Sequence, residues 1–242
     1  MKNSLEKVMN GLIDYAGLFP PAKLPLDQAI TEYISHFRDQ RKWMLGRFII
    51  PISQLNDLEK FIPKFDNVGT LKLSVLGAQS TSDKEFLEQT KKEISIINEY
   101  RKKHEGKVSI EVIETKLPSQ SPSKEVMAKI VKLLNSNNLE HYHEFPELPY
   151  VGINYATNED EGDWDDKITP TIEMISKLDN AGIKLRCGGI VKEAFPSVEQ
   201  VAAMIQNCSI YQVPLKFTAG LHHPIRHHSS EYSTEMHGFI NM

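Results

Sequence analysis

Cysteine is scarce in this chain of 242 residues, which has two, Cys187 and Cys208. A pair is too few for a disulfide framework or a cysteine zinc site, so both read as buried thiols in a reducing cytoplasm. Long apolar runs are missing too. No stretch approaches the roughly 18 apolar residues of a membrane span. The N-terminal "MKNSLEKVMNGLIDYAG" places polar residues where a signal peptide needs an unbroken apolar run. There is no block of Lys or Arg: 28 basic residues face 32 acidic ones, giving a net charge of −4. That balance excludes the usual electrostatic footprint of nucleic-acid or anionic-membrane binding.

What remains is an ordinary globular composition, 40% apolar and 25% charged. It suits a cytoplasmic protein able to bury a sizeable core, read here as a single domain over 1–242. No low-complexity linker or short repeat divides it. Apolar runs of strand length alternate with segments of helical period, the pattern of βα units. The strand candidates are "GLIDYAG", "RFIIPI", "LKLSVLG", "VSIEVIE", a fifth, "IKLRCGG", "PLKFTAG" and "HGFIN". The fifth is either "LEHYHEFPE" or "PYVGINYA", with the acidic loop "TNEDEGDWDD" after them.

Helices fit between these strands. Ser82 with Glu85 forms a capping-box pattern for a helix running toward Gly106. Thr169-Pro170 opens another, closed by Gly182, and Ser197 with Gln200 opens the next, ending near Cys208. Earlier helices are expected over Leu26–Arg38, Ser53–Phe61 and Ser123–Leu134. Eight strands with helices between them predict an α/β fold, a (β/α)8 TIM barrel. An open doubly wound sheet is the alternative, but its Gly-rich phosphate turn is absent after the first strand. The final helix of the barrel is missing before Met242. Its place would be taken by the N-terminal "NSLEKVMNG", a partner subunit in a homo-oligomer, or further chain.

Strand alternation predicts which side chains face a barrel lumen. With Ile183, Leu185 and Cys187 outward, Lys184 and Arg186 point inward. With Leu215, Phe217 and Ala219 outward, so do Lys216 and Thr218. The same parity gives Lys72 and Ser74, then Ser109 and Glu111. Buried charges need partners or an anion, so Lys72 and Glu111 read as an internal ion pair. Lys184, Arg186 and Lys216 lie at the C-terminal strand ends, where barrel enzymes place their chemistry.

"KLRCGG" combines two cations with Gly188-Gly189, whose backbone N–H groups could approach a carboxylate or phosphate gripped by Arg186. "KFTAGLHHPIRHH" places Lys216 beside Lys184, followed by Thr218 and a turn at Gly220. Two ammonium groups side by side repel, and the neutral amine is the form that attacks a carbonyl. The loop after Gly220 holds His222, His223, His227 and His228, four of nine histidines. They lack the fixed spacing of a helical metal site, and His222 and His223 are the acid/base candidates. Glu114 and Glu144 end strands as candidate bases or metal ligands. Asp14 ends the first strand, Asn241 would reach the mouth from the eighth, and His141–His143 forms a weak H-x-H pattern.

"DYAGLFPPAKLP", "KLRCGG" and "KFTAGLHHPIR" resemble stretches of a bacterial (β/α)8-barrel family of no established activity. A fainter resemblance is to class I aldolases of the deoxyribose-phosphate aldolase type, which carry K-x-x-x-G on strands six and seven. Lys184-Leu-Arg-Cys-Gly188 and Lys216-Phe-Thr-Ala-Gly220 fit both. That resemblance implies Lys184 as the imine-forming lysine, although Arg186 departs from the small polar residues found there in the aldolases.

The expectation is thus a barrel enzyme acting on a small anionic metabolite through a lysine-imine carbon–carbon lyase reaction, without a cofactor. One alternative is a metal-dependent hydrolase or isomerase using the His222–His228 cluster, a Glu and a divalent metal. A ligand-binding barrel without catalysis is the other.

Overall fold

The computed structural model describes residues 4–118, 123–144, 164–189 and 191–242. In chain order the elements are α1 (Ser4–Met9), β1 (Ile13–Tyr15), α2 (Leu26–Arg38), β2 (Leu45–Pro51), α3 (Leu55–Leu58), β3 (Leu71–Leu76), α4 (Asp83–Lys103) and β4 (Val108–Lys116). Then follow α5 (Lys124–Asn135), β5 (Glu140–Glu144), α6 (Trp164–Ile175), β6 (Ala181–Arg186), α7 (Val198–Ile210), β7 (Leu215–Thr218), β8 (His227–Ser229) and β9 (Thr234–Met236). The chain forms two compact units. The first comprises Met1–Ala78, Thr90–Glu114 and Ser136–Glu140; the second comprises Gln79–Gln89, Thr115–Asn135 and His141–Met242.

In the first unit β1, β2, β3 and β4 pair in that order, all parallel. One face of this sheet carries Phe48, Leu73 and Val75, each fully buried. Tyr33 of α2 stands on that face with its ring 5.4 Å from Phe48, and its hydroxyl donates to the Gly46 carbonyl at 2.9 Å. Burial, then the nearby Asp14 carboxylate, keeps the Tyr33 phenol protonated far above its ordinary range. Helix α2 follows its amphipathic stripe, burying Ala29, Ile30, Tyr33 and Ile34.

In the second unit β5, β6 and β7 pair in parallel without a register shift, and β8 pairs with β9 antiparallel. Ile183, Leu185 and Cys187 are fully buried. Helix α6 packs along β6, and Ile205 and Cys208 of α7 share a groove with Leu215 and Phe217. The helices therefore cover the face opposite Lys184, Arg186, Lys216 and Thr218. Both cysteines are free and buried, and burial pushes each thiol up to about 12.

These observations correct the barrel expectation. Among the described residues there are seven parallel strands, four in one unit and three in the other, too few for a (β/α)8 barrel. The segment "HGFIN", expected as an eighth strand, folds as a turn. Phe239 and Ile240 donate their N–H groups to the carbonyls of His223 and Pro224, both at 3.0 Å. The apolar side chains that suggested a strand, Phe239 and Ile240, are exposed. The fifth strand is "EHYHE", within the first of its two candidate segments. The other candidate, "PYVGINYA", and the acidic loop lie outside the described residues, apart from the loop's last residues, which enter α6.

Helix boundaries agree at α2 and nearly so at α5, and differ where proline misleads. Helix α6 begins at Trp164 with Pro170 inside it, so Thr169-Pro170 is not its start. Asn180, at φ 58°, supplies the left-handed turn assigned to Gly182. Gly182 instead sits within β6, where a Cβ would lie 2.6 Å from the Tyr142 ring and 2.8 Å from the Pro214 carbonyl. The helix expected over Ser53–Phe61 is broken into 3-10 turns around α3, with Pro63 inside the second.

The two capping boxes behave differently. Glu85 N–H donates to Ser82 Oγ, but the Glu85 carboxylate accepts from the N–H and hydroxyl of Thr81 instead. At α7 the box is complete, with Gln200 N–H on Ser197 Oγ and Ser197 N–H on Gln200 Oε1 at 2.8 Å. Ser197→Ala should therefore lower stability by about 1 kcal/mol, read as a lower urea midpoint at unchanged m-value. Ser82→Ala should cost less, because the Thr81–Glu85 bonds persist.

Candidate functional site

Strand β6 brings the cations of "KLRCGG" to one place because its alternate residues must fill the space beneath the helices. With Ile183 and Leu185 committed there, Lys184 and Arg186 project from the other face. In-register pairing then fixes their neighbours: Lys184 lies opposite Lys216, Arg186 opposite Thr218, and Glu144 opposite Lys184 on the β5 side. Lys184 is 8% exposed, and Arg186, Lys216 and Thr218 are half-buried. Tyr142, two residues before Glu144 and on the same face, lies against Gly182. The side chains of His141, His143 and Glu144 lie outside the described residues.

The strand ends are shaped by glycine. At Gly188 a Cβ would lie 2.6 Å from the Gly220 Cα, and at Gly220 it would meet the Cys187 carbonyl, with Gly188 Cα at 2.9 Å. Gly220 also has φ +67°, following Ala219 at φ +57°. At Gly189 a Cβ would come 2.6 Å from that of Ala194. Cys187 N–H donates to the Thr218 carbonyl at 2.7 Å, which holds the two ends together. These three glycines are needed for backbone and side-chain approach within the protein. The Arg186 Nε donates to the Gly188 carbonyl at 2.9 Å, so one edge of the guanidinium is fixed, and its Nη groups make no hydrogen bond among the described residues.

The histidine loop is a hairpin followed by a returning tail. His223 and His227 rings lie 4.2 Å apart in an edge-to-face arrangement. His228 and Arg226 both approach the Glu235 carboxylate, at 3.1 and 3.6 Å. Partial burial, then the neighbouring His223 and His227, holds the His222 imidazole below its usual value. Asn241 does not reach a barrel mouth; its Oδ1 accepts the Arg226 N–H at 2.8 Å. His237 is buried, with Nε2 2.7 Å from the Pro196 carbonyl. Among the described residues no group of three or more His, Cys, Asp or Glu is arranged to hold a metal ion.

The remaining candidates belong to the first unit. Glu114 is 2% exposed and accepts from Ser74 Oγ at 2.5 Å. Asp14 Oδ1 accepts the Arg47 N–H at 2.6 Å, tying β1 to β2 across their irregular register. Lys72 and Glu111 do not form the expected internal pair. A bulge between Leu73 and Ser74 sets Ser74 opposite Val112, and Glu111 is exposed, 3.5 Å from Arg47 Nη2. Glu93 was missed in the sequence. It is 1% exposed and accepts the Ala78 N–H at 2.6 Å just beyond β3. Its signal was a carboxylate on the buried stripe of α4, among Thr90, Ile94 and Ile97.

No known family model matches this chain, and no curated protein sequence matches it. No described helix is long and apolar enough to cross a membrane.

Two outcomes follow. Gly220→Ala should destabilise by about 2 kcal/mol or more, from left-handed strain and the Cys187 contact together, measured by urea unfolding. His222 should titrate below about 6.5 in NMR, and its midpoint should rise in His223→Asn as like-charge repulsion is removed. The sign for folding follows from the lowered value. The unfolded chain takes up this proton first, so the stabilising contribution of neutral His222 is fully present above the unfolded value and is lost as pH falls from there through the lower folded value.

Proposed function

We propose that the C-terminal ends of β6 and β7 form the active site of an enzyme acting on a small anionic metabolite through a lysine imine. The observation that carries this is the register itself, which sets Lys184 against Lys216 and, one step further along, Arg186 against Thr218. Ligand sites in parallel α/β sheets lie at the carboxyl ends of the strands. The two K-x-x-x-G stretches resembling class I aldolases supply both lysines.

The chemistry these groups suit is carbon–carbon bond cleavage. A neutral lysine Nζ attacks the substrate carbonyl carbon, and the carbonyl oxygen leaves as water after taking up two protons. The resulting iminium draws electrons from the bond between its α- and β-carbons: the β-hydroxyl gives its proton to a base and departs as an aldehyde carbonyl, the first product, while the bonding pair stays on the α-carbon as an enamine. Protonation of the enamine carbon and hydrolysis return the free lysine and the second product. Lys184 takes the nucleophile's role, with Lys216 beside it in register. His222 or His223 on the loop after β7 serves as proton carrier.

Borohydride reduction in the presence of short aldehydes and oxo acids tests this directly. Peptide mapping should find a secondary-amine adduct on Lys184, and Lys184→Met should abolish it. A wild-type protein in which neither Lys184 nor Lys216 is modified by any of the carbonyl compounds would overturn the imine mechanism.

A further inference from the structure

The anion-recognition half of this site can be narrowed to one chemical class. The geometry points to Arg186 and Thr218 as the binding groups for a substrate carboxylate, which makes the substrate a short oxo carboxylic acid rather than a phosphorylated sugar. This inference rests on the imine reading for the placement of the reacting carbonyl, but not for the anion site itself.

Three observations support it. First, Arg186 is half-buried and, among the described residues, has no carboxylate partner. Its one hydrogen bond runs from Nε to the Gly188 carbonyl. A guanidinium that is partly withdrawn from water and held by one edge presents two parallel Nη donors, the arrangement that grips both oxygens of a planar carboxylate. Second, Thr218 lies opposite Arg186 in register, and no protein group among the described residues bonds its hydroxyl. It offers one further donor, about 4.8 Å away across the strands.

Third, part of the backbone at this strand end is already committed within the protein. Phosphate sites generally use several convergent backbone N–H groups at a glycine turn or helix start. At this strand end Cys187 N–H is already given to the Thr218 carbonyl. Gly188 and Gly220 press against each other rather than framing a space, and the Gly188 carbonyl is directed to Arg186. One guanidinium fork and one hydroxyl match a monoanionic carboxylate.

The spacing sets the size of the molecule. Lys184 and Arg186 are two residues apart, about 6.7 Å along the strand, and the Arg186 Nε is held at the Gly188 carbonyl beyond it. A carbonyl held at the lysines and a carboxylate held at Arg186 therefore belong to one small molecule, with few carbons between them.

Binding measured by NMR titration in the absence of reductant separates the anion site from the chemistry. The probes are pyruvate, lactate as its analogue without a carbonyl, and inorganic phosphate; wild type is compared with Arg186→Gln, Thr218→Val and Lys184→Met. Pyruvate and lactate should shift resonances of β6 and β7, with affinity reduced about ten-fold or more in Arg186→Gln and less in Thr218→Val. Phosphate should bind more weakly than either. Equal or tighter phosphate binding, or carboxylate binding unaffected by both substitutions, would overturn the inference. Thr218→Val is close in shape to the wild type and keeps the test open should Arg186→Gln fail to fold. The two readings fail separately. Arg186-dependent lactate binding without any borohydride adduct sinks the imine and retains the carboxylate site, whereas an adduct formed equally well in Arg186→Gln does the reverse.

Discussion

The period of two along β6, locked by in-register pairing to its neighbours, is the constraint on which the candidate site depends. A slip of one residue would turn Ile183 and Leu185 out of the helix-covered side, losing roughly 1.5–3 kcal/mol for each. The same slip would carry Lys184 and Arg186 beneath the helices, at several kcal/mol for each unpaired ion. The two penalties have the same sign and no compensating gain, so the register is strongly specified. Lys184, Arg186, Lys216 and Thr218 are therefore placed together by the packing of residues that have no chemistry of their own.

The same reasoning explains why this part of the molecule was legible in the sequence. Clean apolar alternation in "IKLRCGG" and "PLKFTAG" assigns faces, and adjacency in chain order assigns neighbours, so the Lys184–Lys216 pairing was readable before any coordinates. Alternation failed in β4, where the bulge opposite Leu73 and Ser74 shifts the register. The sequence carries a local mark of it: "VSIEVIE" alternates through Glu111 and then places Val112 and Ile113 side by side, both buried, a break that parity counting from Val108 passes over. The expected Lys72–Glu111 pair was lost there, and Arg47 took the glutamate instead.

The barrel was inferred from a strand count, and the count rested on "HGFIN". Five residues with two apolar side chains carry too little periodicity to distinguish a strand from a turn. Gly238 decides the matter locally: a Cβ there would collide with the backbone of Ile225, so the tail lies against the histidine loop and spends its N–H groups on His223 and Pro224. Seven strands were otherwise found close to where the patterns put them. Local periodicity thus identified the elements, while closure, a global property, hung on the weakest of them.

Glycine is where a functional and a structural signal look alike in sequence. Gly188-Gly189 and Gly220 follow the cationic strand residues as a ligand-binding turn would, yet their missing Cβ atoms are needed for contacts inside the protein. That close approach has a consequence for Arg186 all the same. Gly188 packs against Gly220, and its carbonyl, two residues from Arg186, fixes the Nε edge of the guanidinium. An arginine anchored in this way has lost much of the rotamer freedom that a flexible side chain gives up on binding, so an anion meeting its Nη groups pays less of that cost. The glycines thus bear on Arg186 through the Gly188 carbonyl as well as through their own packing.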